Sequence, residues 1–326
     1  MTKPYAVIMH NNGGPEVLSV EPFEPGQPGP GQVLIRQTAI GLNFIDTYVR
    51  SGLYPAPLPS GLGGEAAGVV AALGAGADTF KVGDRVGYCT GAPGAYTTHR
   101  IVDQDRLVLI PDAISDEQAA ASLLKGCTAE YLIERCAQIK AGQWVLVHAA
   151  AGGVGTILVQ WLAAIGARVI AHAGNAQKAA LATSLGAEHA LCCSMNELGE
   201  AVKGLTDGAG VPVVLDGVGA ASWDASLASV ARRGLIVSYG NASGAVPPFT
   251  AFDLMRRGSI FVTRPTLADY CHPAPELRAS AARMFAMIAS GAVTLRIDQR
   301  FGLADAADAH RALESRATTG ASVLIP

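Results

Sequence analysis

The chain has 326 residues, of which 50% are hydrophobic and 16% are charged, and its formal net charge is −3. This length and apolar content allow two domains with large buried cores and argue against intrinsic disorder. The weakly acidic net charge argues against nucleic-acid binding. No apolar stretch reaches the roughly 18 residues of a membrane helix, and the first residues lack a signal-peptide pattern. We therefore expect a cytoplasmic protein.

Short β segments between glycine- and proline-rich turns occupy roughly the first 120 residues, a pattern typical of a barrel-like β domain. The first two segments form a predicted hairpin. We expect strands at residues 5–9, 17–20, 32–39, 66–73 and 85–88.

Helical and strand patterns alternate from Gln118 onward at the spacing of βαβ units. Ser115 is the expected N-cap of the first long helix. The alternation predicts a parallel, doubly wound sheet of about six strands, followed by two helices and a closing strand that rejoins the first domain. Strands are expected near residues 144, 168–173, 189, 211–216, 234–239, 259–263 and 321–325.

The predicted fold class is therefore α/β, with a doubly wound parallel sheet and a second, mainly β domain. We expect the β domain to comprise residues 1–124 together with 265–326. The sheet domain then comprises residues 125–264.

A glycine turn between a strand and a helix, WVLVHAAAGGVG at residues 144–155, organises the second domain. Its order is that of a dinucleotide-binding βαβ unit, although Ala150 replaces the first glycine of G-x-G-x-x-G. We expect Gly152 to let the backbone approach a pyrophosphate, with Gly153 and Val154 at the helix N-terminus facing the phosphates. Gly155 lets the helix pack on the strand. The alternative is a glycine-rich turn of any α/β protein.

The tip of the next strand decides between NADH and NADPH. An NAD site places Asp or Glu about 20 residues after the glycine turn, but no acid occurs in residues 157–187. Gly174 and Asn175 stand there instead, and Lys178 supplies a cation for a 2′-phosphate. NADPH is therefore the expected cofactor. The alternative for Lys178 is an ordinary solvated lysine at a helix start.

Several further stretches occur in a fixed order along the chain. They are residues 41–48 (GLNFIDTY), 51–55 (SGLYP), 61–68 (GLGGEAAG), 149–155 (AAAGGVG), 239–244 (YGNASG), 262–265 (VTRP) and 314–320 (ESRATTG). Together they resemble the zinc-independent quinone oxidoreductases, the zeta-crystallin-like branch of the medium-chain dehydrogenase/reductase superfamily. The resemblance implies a GroES-like catalytic domain, a Rossmann domain, and a homodimer that pairs through residues 259–263.

The resemblance also raises the question of zinc, because the superfamily includes zinc alcohol dehydrogenases. In those relatives a Cys precedes a Thr-Asp pair and a His precedes a Glu. The matching positions here hold Asn43 and Gly64, so we expect no metal. Asp46 and Glu65 are then expected to serve hydrogen bonding and packing.

Three candidate catalytic residues, Asn43, Tyr48 and Tyr54, cluster in an expected loop before Gly61, and the resemblance places this loop beside the nicotinamide. Asn43 would contact the nicotinamide ribose or the substrate. The tyrosines would stack on a flat quinone ring or hydrogen-bond to it. The alternative is that both are half-buried turn tyrosines. No residue stands out as an obligatory proton donor.

Further cofactor contacts are implied by position alone. The resemblance assigns them to Lys125, Thr128, Tyr239, Gly240, Asn241, Arg264 and Arg316. A surface ion pair is the alternative for each arginine. Cys193 stands where close bacterial relatives carry a tyrosine against the adenosine phosphate, and cysteine is a poor phosphate ligand, so the preference for NADPH is expected to be weaker than in the family.

The sequence thus predicts an NADPH-dependent, zinc-free quinone reductase. A reductase of enones or 2-alkenals is the closest alternative, because many zinc-free relatives reduce activated alkenes. A non-catalytic nucleotide-binding or RNA-binding protein is the alternative of another class, and the acidic balance speaks against RNA.

Overall fold

The computed structural model describes residues 3–315 and 318–326. Within these residues, none of the helices combines the length and the hydrophobicity that a membrane span requires. All six cysteines are free thiols. Two compact units are present. The first comprises Met1–Cys127, Cys271–Ala289 and Leu295–Pro326, and the second comprises Thr128–Tyr270 and Ser290–Thr294.

The strands and helices are numbered in chain order. The strands are β1 (Tyr5–Met9), β2 (Leu18–Pro22), β3 (Gln32–Leu42), β4 (Ser60–Gly61), β5 (Ala66–Leu73), β6 (Arg85–Tyr88), β7 (His99–Asp103), β8 (Val108–Leu109), β9 (Trp144–Val147), β10 (Arg168–His172), β11 (His189–Leu191), β12 (Val211–Asp216), β13 (Val230–Ser238), β14 (Phe261–Thr263), β15 (Ile297–Gly302) and β16 (Ala321–Ile325). The helices are α1 (Phe44–Ser51), α2 (Asp116–Glu130), α3 (Gly153–Ala164), α4 (Ala176–Ser184), α5 (Met195–Leu205), α6 (Trp223–Ser229), α7 (Ala251–Arg256), α8 (Leu267–Tyr270), α9 (Ala274–Ala289) and α10 (Ala306–Glu314).

The first unit is built on two mainly antiparallel sheets. A seven-stranded sheet runs in the order β15-β16-β3-β5-β6-β8, with β7 also paired to β3, and a small sheet runs in the order β2-β1-β4. The predicted hairpin of β1 and β2 is confirmed. Strand β3 turns Val33 and Ile35 inward, where they pack with Val70 of β5 and Val86 of β6. This alternation of buried and exposed residues explains why the sequence predicted β3, whereas β4, β7 and β8 were not predicted.

The end of the chain returns to this sheet. Strand β16 pairs antiparallel with β3 and parallel with β15, so the closing strand rejoins the first unit, as predicted. Strand β15 is not predicted from the sequence, whose pattern after residue 274 indicates two helices and one strand. In β15 alternate residues are half-buried and exposed, so its apolar signal is weak.

The second unit is a six-stranded parallel sheet in the order β11-β10-β9-β12-β13-β14. The predicted doubly wound arrangement is confirmed, and the strand order reverses between β9 and β12. Ligands of such sheets bind at the carboxyl ends of the strands where the order reverses. The apolar core comprises Leu146, Ile170, Val214 and Ile236, with side chains from α5 and α6 packed beside them.

Two local differences from the sequence reading have simple causes. The segment after Leu42 was expected as a loop but contains α1. The start of this helix is stabilised by the Asn43 N–H, which donates to the Asp46 carboxylate at 2.9 Å. The helix ends at Gly52, which has a φ of 82°. Strand β14 begins at Phe261 rather than Ser259, because Ser259 has a φ of 58°, outside the strand region.

Candidate active site

The glycine turn after β9 lies at the point where the strand order reverses. Gly152 precedes α3 in an extended conformation. A Cβ at Gly155 would lie 2.3 Å from the Ala149 carbonyl oxygen, so only glycine lets α3 start this close to the strand. The first N–H groups of a helix have no partner within it, and Gly153 and Val154 therefore offer anion-binding donors at this edge.

The loops after β12 and β13 come together at the same edge. A Cβ at Gly240 would lie 2.5 Å from the Gly217 carbonyl oxygen, and a Cβ at Gly217 would lie 2.8 Å from the Tyr239 ring. Burial, and then the charge of Asp216, raise the pKa of Tyr239, so its hydroxyl stays protonated. Asn241 follows in the same loop. The structure thus brings these predicted cofactor residues to the carboxyl ends of the parallel strands.

A buried hydrogen-bond network beneath these loops was missed by the sequence reading. Asp216 Oδ2 accepts from Ser226 Oγ at 2.6 Å, while its Oδ1 accepts from the Val218 N–H at 2.8 Å. Ser226 Oγ lies 3.0 Å from His148 Nε2, and because the hydroxyl hydrogen is used, the imidazole donates. Burial lowers the pKa of His148 to about 4. The available signal in the sequence was that His148 directly follows an apolar strand and Asp216 is the last residue of another.

The residues predicted for the 2′-phosphate lie around the tip of β10. Gly174 and Asn175 are exposed, and Asn175 Oδ1 caps α4 by accepting from the Lys178 N–H at 2.9 Å. The Cys193 carbonyl accepts from His172 Nε2 at 3.0 Å, which holds the segment after β11 beside this tip. Partial burial raises the pKa of the Cys193 thiol, so it remains neutral.

In the first unit, Asn43 lies next to a buried ion pair. Its Nδ2 donates to Glu65 Oε2 at 2.7 Å. The other oxygen of Glu65 accepts from the Leu124 N–H at 2.6 Å, and Lys125 Nζ lies 3.6 Å from Glu65 Oε2. Burial raises the pKa of Glu65, and the charge of Lys125 opposes that shift.

The two candidate tyrosines are also brought together. The rings of Tyr48 and Tyr54 meet edge to face with 5.3 Å between their centroids, and the Tyr54 N–H donates to the Tyr48 carbonyl at 3.0 Å. Phe44 packs against Tyr48 at 5.8 Å. Both tyrosines are half-buried. They form one aromatic surface on α1 and the segment that follows it.

The remaining predicted cofactor residues are Thr128, Arg264 and Arg316. Thr128 is buried in the last turn of α2. Arg264 is exposed directly after the outermost strand β14, and its guanidinium donates to the Pro265 carbonyl at 2.9 Å. Arg316 lies outside the described residues.

Two family models match the chain: an alcohol dehydrogenase GroES-like domain over residues 29–112 and a zinc-binding dehydrogenase over residues 153–270. A Pseudomonas aeruginosa quinone oxidoreductase is 49% identical over 96% of this chain and 97% of its own. The chain belongs to the quinone oxidoreductase family of the medium-chain dehydrogenases/reductases. The structure of an Escherichia coli quinone oxidoreductase complexed with NADPH matches with a TM-score of 0.96 and 46% identity, over 99% of this chain and 100% of that chain. A Burkholderia 2-haloacrylate reductase is 39% identical over 98% of both chains.

The zinc named in one family model does not fit the donor set of this member. Zinc is held by Cys, His or carboxylate groups, whereas Asn43 and Gly64 stand at the expected ligand positions. The ammonium of Lys125, 3.6 Å from Glu65, would repel a metal ion there. In residues 3–315 and 318–326 no group of three or more His, Cys, Asp or Glu residues is arranged to hold one.

A second buried network, also missed from sequence, supports α1 of this family member. Arg50 Nη1 donates to His310 Nδ1 at 3.0 Å, since a guanidinium has no acceptor. His310 Nε2 therefore carries the ring hydrogen and donates to Tyr96 Oη at 3.0 Å, and that hydroxyl donates to Asp46 Oδ2 at 3.0 Å. Arg50 also pairs with Glu314 at 2.5 Å. The three hydrogen bonds that join Arg50, His310, Tyr96 and Asp46 are all donated in the direction of Asp46.

Asp46 and His310 have opposite pKa shifts. Burial raises the pKa of Asp46 from 3.8 to about 7, whereas burial and then the charge of Arg50 lower the pKa of His310 from 6.5 to about 3. Between pH 3.8 and 6.5 the folded chain holds a proton on Asp46 that the unfolded chain has lost. The unfolded chain holds one on His310 that the folded chain lacks. The two contributions to the pH dependence of stability therefore cancel in this range.

Single substitutions should expose each contribution. In Asp46→Asn only the histidine remains, so the free energy of unfolding should rise with pH, relative to the wild type, by up to about 1.4 kcal/mol per pH unit from about pH 4 to 6.5. In His310→Gln only the carboxyl remains, and the free energy should fall with pH by a similar amount. Urea unfolding at a series of pH values measures both slopes. Parallel slopes in the variants and the wild type would contradict the assignment.

Proposed function

We propose that this chain is an NADPH-dependent quinone reductase that acts without zinc. The observation that carries the proposal is that the same chain contains a dinucleotide-binding edge, in the second unit, and a set of side chains beside Asn43 that does not fit zinc, in the first. The naming of relatives at 49% and 47% identity as quinone oxidoreductases supports the same activity.

The second unit has the features that NADPH requires. Gly152, Gly153 and Val154 would hold the pyrophosphate through backbone N–H groups at the start of α3. Gly174 leaves open space, since a Cβ there would meet no atom within 4 Å, and Lys178 would pair with the 2′-phosphate. When bound, NADPH supplies the hydride that reduces the substrate.

Residues of the first unit would bind the acceptor. The edge-to-face pair of Tyr48 and Tyr54 presents an aromatic surface suited to a flat quinone ring. Asn43 is held by Glu65 and is our candidate for contacts to the nicotinamide ribose or to the substrate. Exclusion of water by these groups would favour hydride transfer over side reactions.

The alternative function is reduction of an alkene conjugated to a carbonyl or carboxylate. The identity of 39% to a 2-haloacrylate reductase over nearly the whole chain favours this second candidate. Such a substrate also needs a hydride donor and charge stabilisation at oxygen, but it lacks the flat ring for Tyr48 and Tyr54.

The edge of the second unit supports a homodimer. Strand β14 pairs with β13 on one side only among the described strands. Phe261 on β14 is 63% exposed, and Phe252 and Met255 of the neighbouring α7 are 55% and 52% exposed. An open strand edge next to exposed apolar side chains is a surface that proteins normally cover. We propose that a second copy of the chain pairs with β14 at this edge.

The cytoplasmic location stays a prediction.

Acceptor preference tests the proposed activity. With NADPH as donor, kcat/KM for 1,4-benzoquinone should exceed that for a 2-alkenal or 2-chloroacrylate by at least about tenfold, because only the quinone presents a ring to the tyrosine pair. Initial rates of NADPH oxidation provide the measurement. The reverse order of acceptors would favour the alkene reductase.

Substitution of Lys178 tests the cofactor assignment. Lys178→Ala should raise the KM for NADPH by roughly 10- to 100-fold, the loss expected for one charge-assisted contact, and leave the KM for NADH nearly unchanged. Lys203→Ala on the neighbouring α5, where Lys203 pairs with Glu200 at the surface, is the matched control. Equal effects of Lys178→Ala on both cofactors would reject the phosphate contact.

A charge placed on the open edge tests the dimer. Phe261→Asp should shift the protein from two chains to one, because a carboxylate would be buried against its own copy. Light scattering after size-exclusion chromatography gives the mass. Val82→Asp, at a residue with the same 63% exposure in the first unit, is the control and should leave the mass unchanged. If the Phe261→Asp variant remained a dimer, the interface would not lie at this edge.

A further inference from the structure

The first unit contains a buried cation, Lys125, that makes no short hydrogen bond to any of the residues that the structure describes. Lys125 is only 5% exposed. Its Nζ lies 3.5 Å from the Leu42 carbonyl oxygen and 3.6 Å from Glu65 Oε2. An ammonium has three N–H donors, and charge-assisted hydrogen bonds are normally about 2.7–2.9 Å long. Both contacts are therefore long, and the nitrogen keeps donor capacity for a closer acceptor.

Glu65 is fixed in a place from which it cannot shorten its contact with the lysine. Its two oxygens accept at 2.6 Å from the Leu124 N–H and at 2.7 Å from Asn43 Nδ2. Behind it, even a Cβ at Gly41 would lie only 2.3 Å from Oε2. The carboxylate thus balances the charge of Lys125 across 3.6 Å without using its donors in a short hydrogen bond.

This arrangement matches the charge that quinone reduction creates. Addition of a hydride, two electrons and one proton, to a quinone gives the hydroquinone monoanion, with negative charge on oxygen. A pre-positioned cation in a buried site stabilises such charge far more strongly than water-exposed groups do. Asn43, one of the positions where zinc-dependent relatives hold a metal ligand, contacts the same Glu65.

We propose that Lys125 is a catalytic residue that stabilises the reduced oxygen of the substrate and gives it a proton. The proposal rests on the quinone reductase activity proposed above. One N–H bond of the ammonium breaks and one O–H bond forms, so the monoanion becomes the hydroquinone and Lys125 becomes a neutral amine. A solvent proton then restores the ammonium. Over the cycle, quinone, NADPH and one proton give hydroquinone and NADP⁺. Glu65 is a positioning residue that holds Lys125.

The first test measures charge stabilisation without turnover. 4-Nitrophenol, whose phenolate resembles the hydroquinone monoanion, is titrated into protein saturated with NADP⁺, and absorbance reports its ionised fraction at each pH. The apparent pKa of the bound phenol should be lower in the wild type than in Lys125→Met by about one unit or more, a tenfold preference for the anion. Equal pKa values in the two proteins, or no binding of phenolate by the wild type, would overturn the proposal.

Two further variants separate catalysis from support of the fold. Lys125→Met leaves Glu65 without its counter-charge, so Lys125→Met/Glu65→Gln removes both charges and should restore thermal stability but not the lowered phenol pKa. Lys125→Arg keeps a cation and should retain much of that effect. Lys81→Met, at an exposed lysine of the same unit, is the neutral control. If the double variant lowered the pKa of the bound phenol as the wild type does, Lys125 would have a structural role only.

Kinetics distinguishes failure of this proposal from failure of the proposed function. Lys125→Met should lower kcat for 1,4-benzoquinone about 100-fold with a smaller change in KM, as for loss of one donor to a developing oxyanion. If the wild type itself does not reduce quinones with NADPH, the proposed function fails. If the wild type does so and Lys125→Met keeps its kcat, only the role of Lys125 is rejected.

Discussion

The fully buried carboxylate of Glu65 is the constraint on which the candidate substrate side of the first unit depends. A carboxylate without solvent is stable only when hydrogen bonds and a counter-charge replace its hydration. Leu124 on α2, Asn43 at the start of α1 and the ammonium of Lys125 supply that replacement. Burial of this carboxylate also sets a steric requirement, because residue 41 must be a glycine for the carboxylate to fit. The positions of α1 and α2 are thereby coupled through one side chain.

Two further buried carboxylates have comparable roles. Asp216 ties the end of β12 to α6 and, through Ser226, to His148 at the end of β9, so the loops expected around the cofactor have a fixed base. Asp46 ties the first turn of α1 to Tyr96. In each case a network of defined hydrogen-bond direction lies directly beneath residues that we assign to binding. Buried hydrogen bonds of defined direction favour one arrangement of the surrounding elements over near alternatives.

The sequence predicted what local pattern determines, and missed what long-range packing determines. Parallel strands, the glycine turn and the residues around Lys178 follow from apolar periodicity and glycine geometry within short windows. The link between Arg50 and His310 joins residues 260 positions apart, and that between Asn43 and Glu65 joins residues 22 apart. Neither leaves a periodic signal. Strand β15 was missed for a related reason: its half-buried residues become recognisable as a strand only once β16 lies beside them.

The pairing of β16 has a consequence for the order in which the chain can fold during translation. Strand β16 lies between β3 and β15 in the large sheet of the first unit, so that sheet cannot close until the ribosome has made residues 321–325. The second unit is nearly continuous in sequence and can complete its sheet earlier. Synthesis from the N-terminus usually lets the leading domain fold first. Here the N-terminal segment cannot complete its fold first, because β3 lacks its partner β16 until the end of synthesis. During that time we expect this segment of the nascent chain to need protection by chaperones.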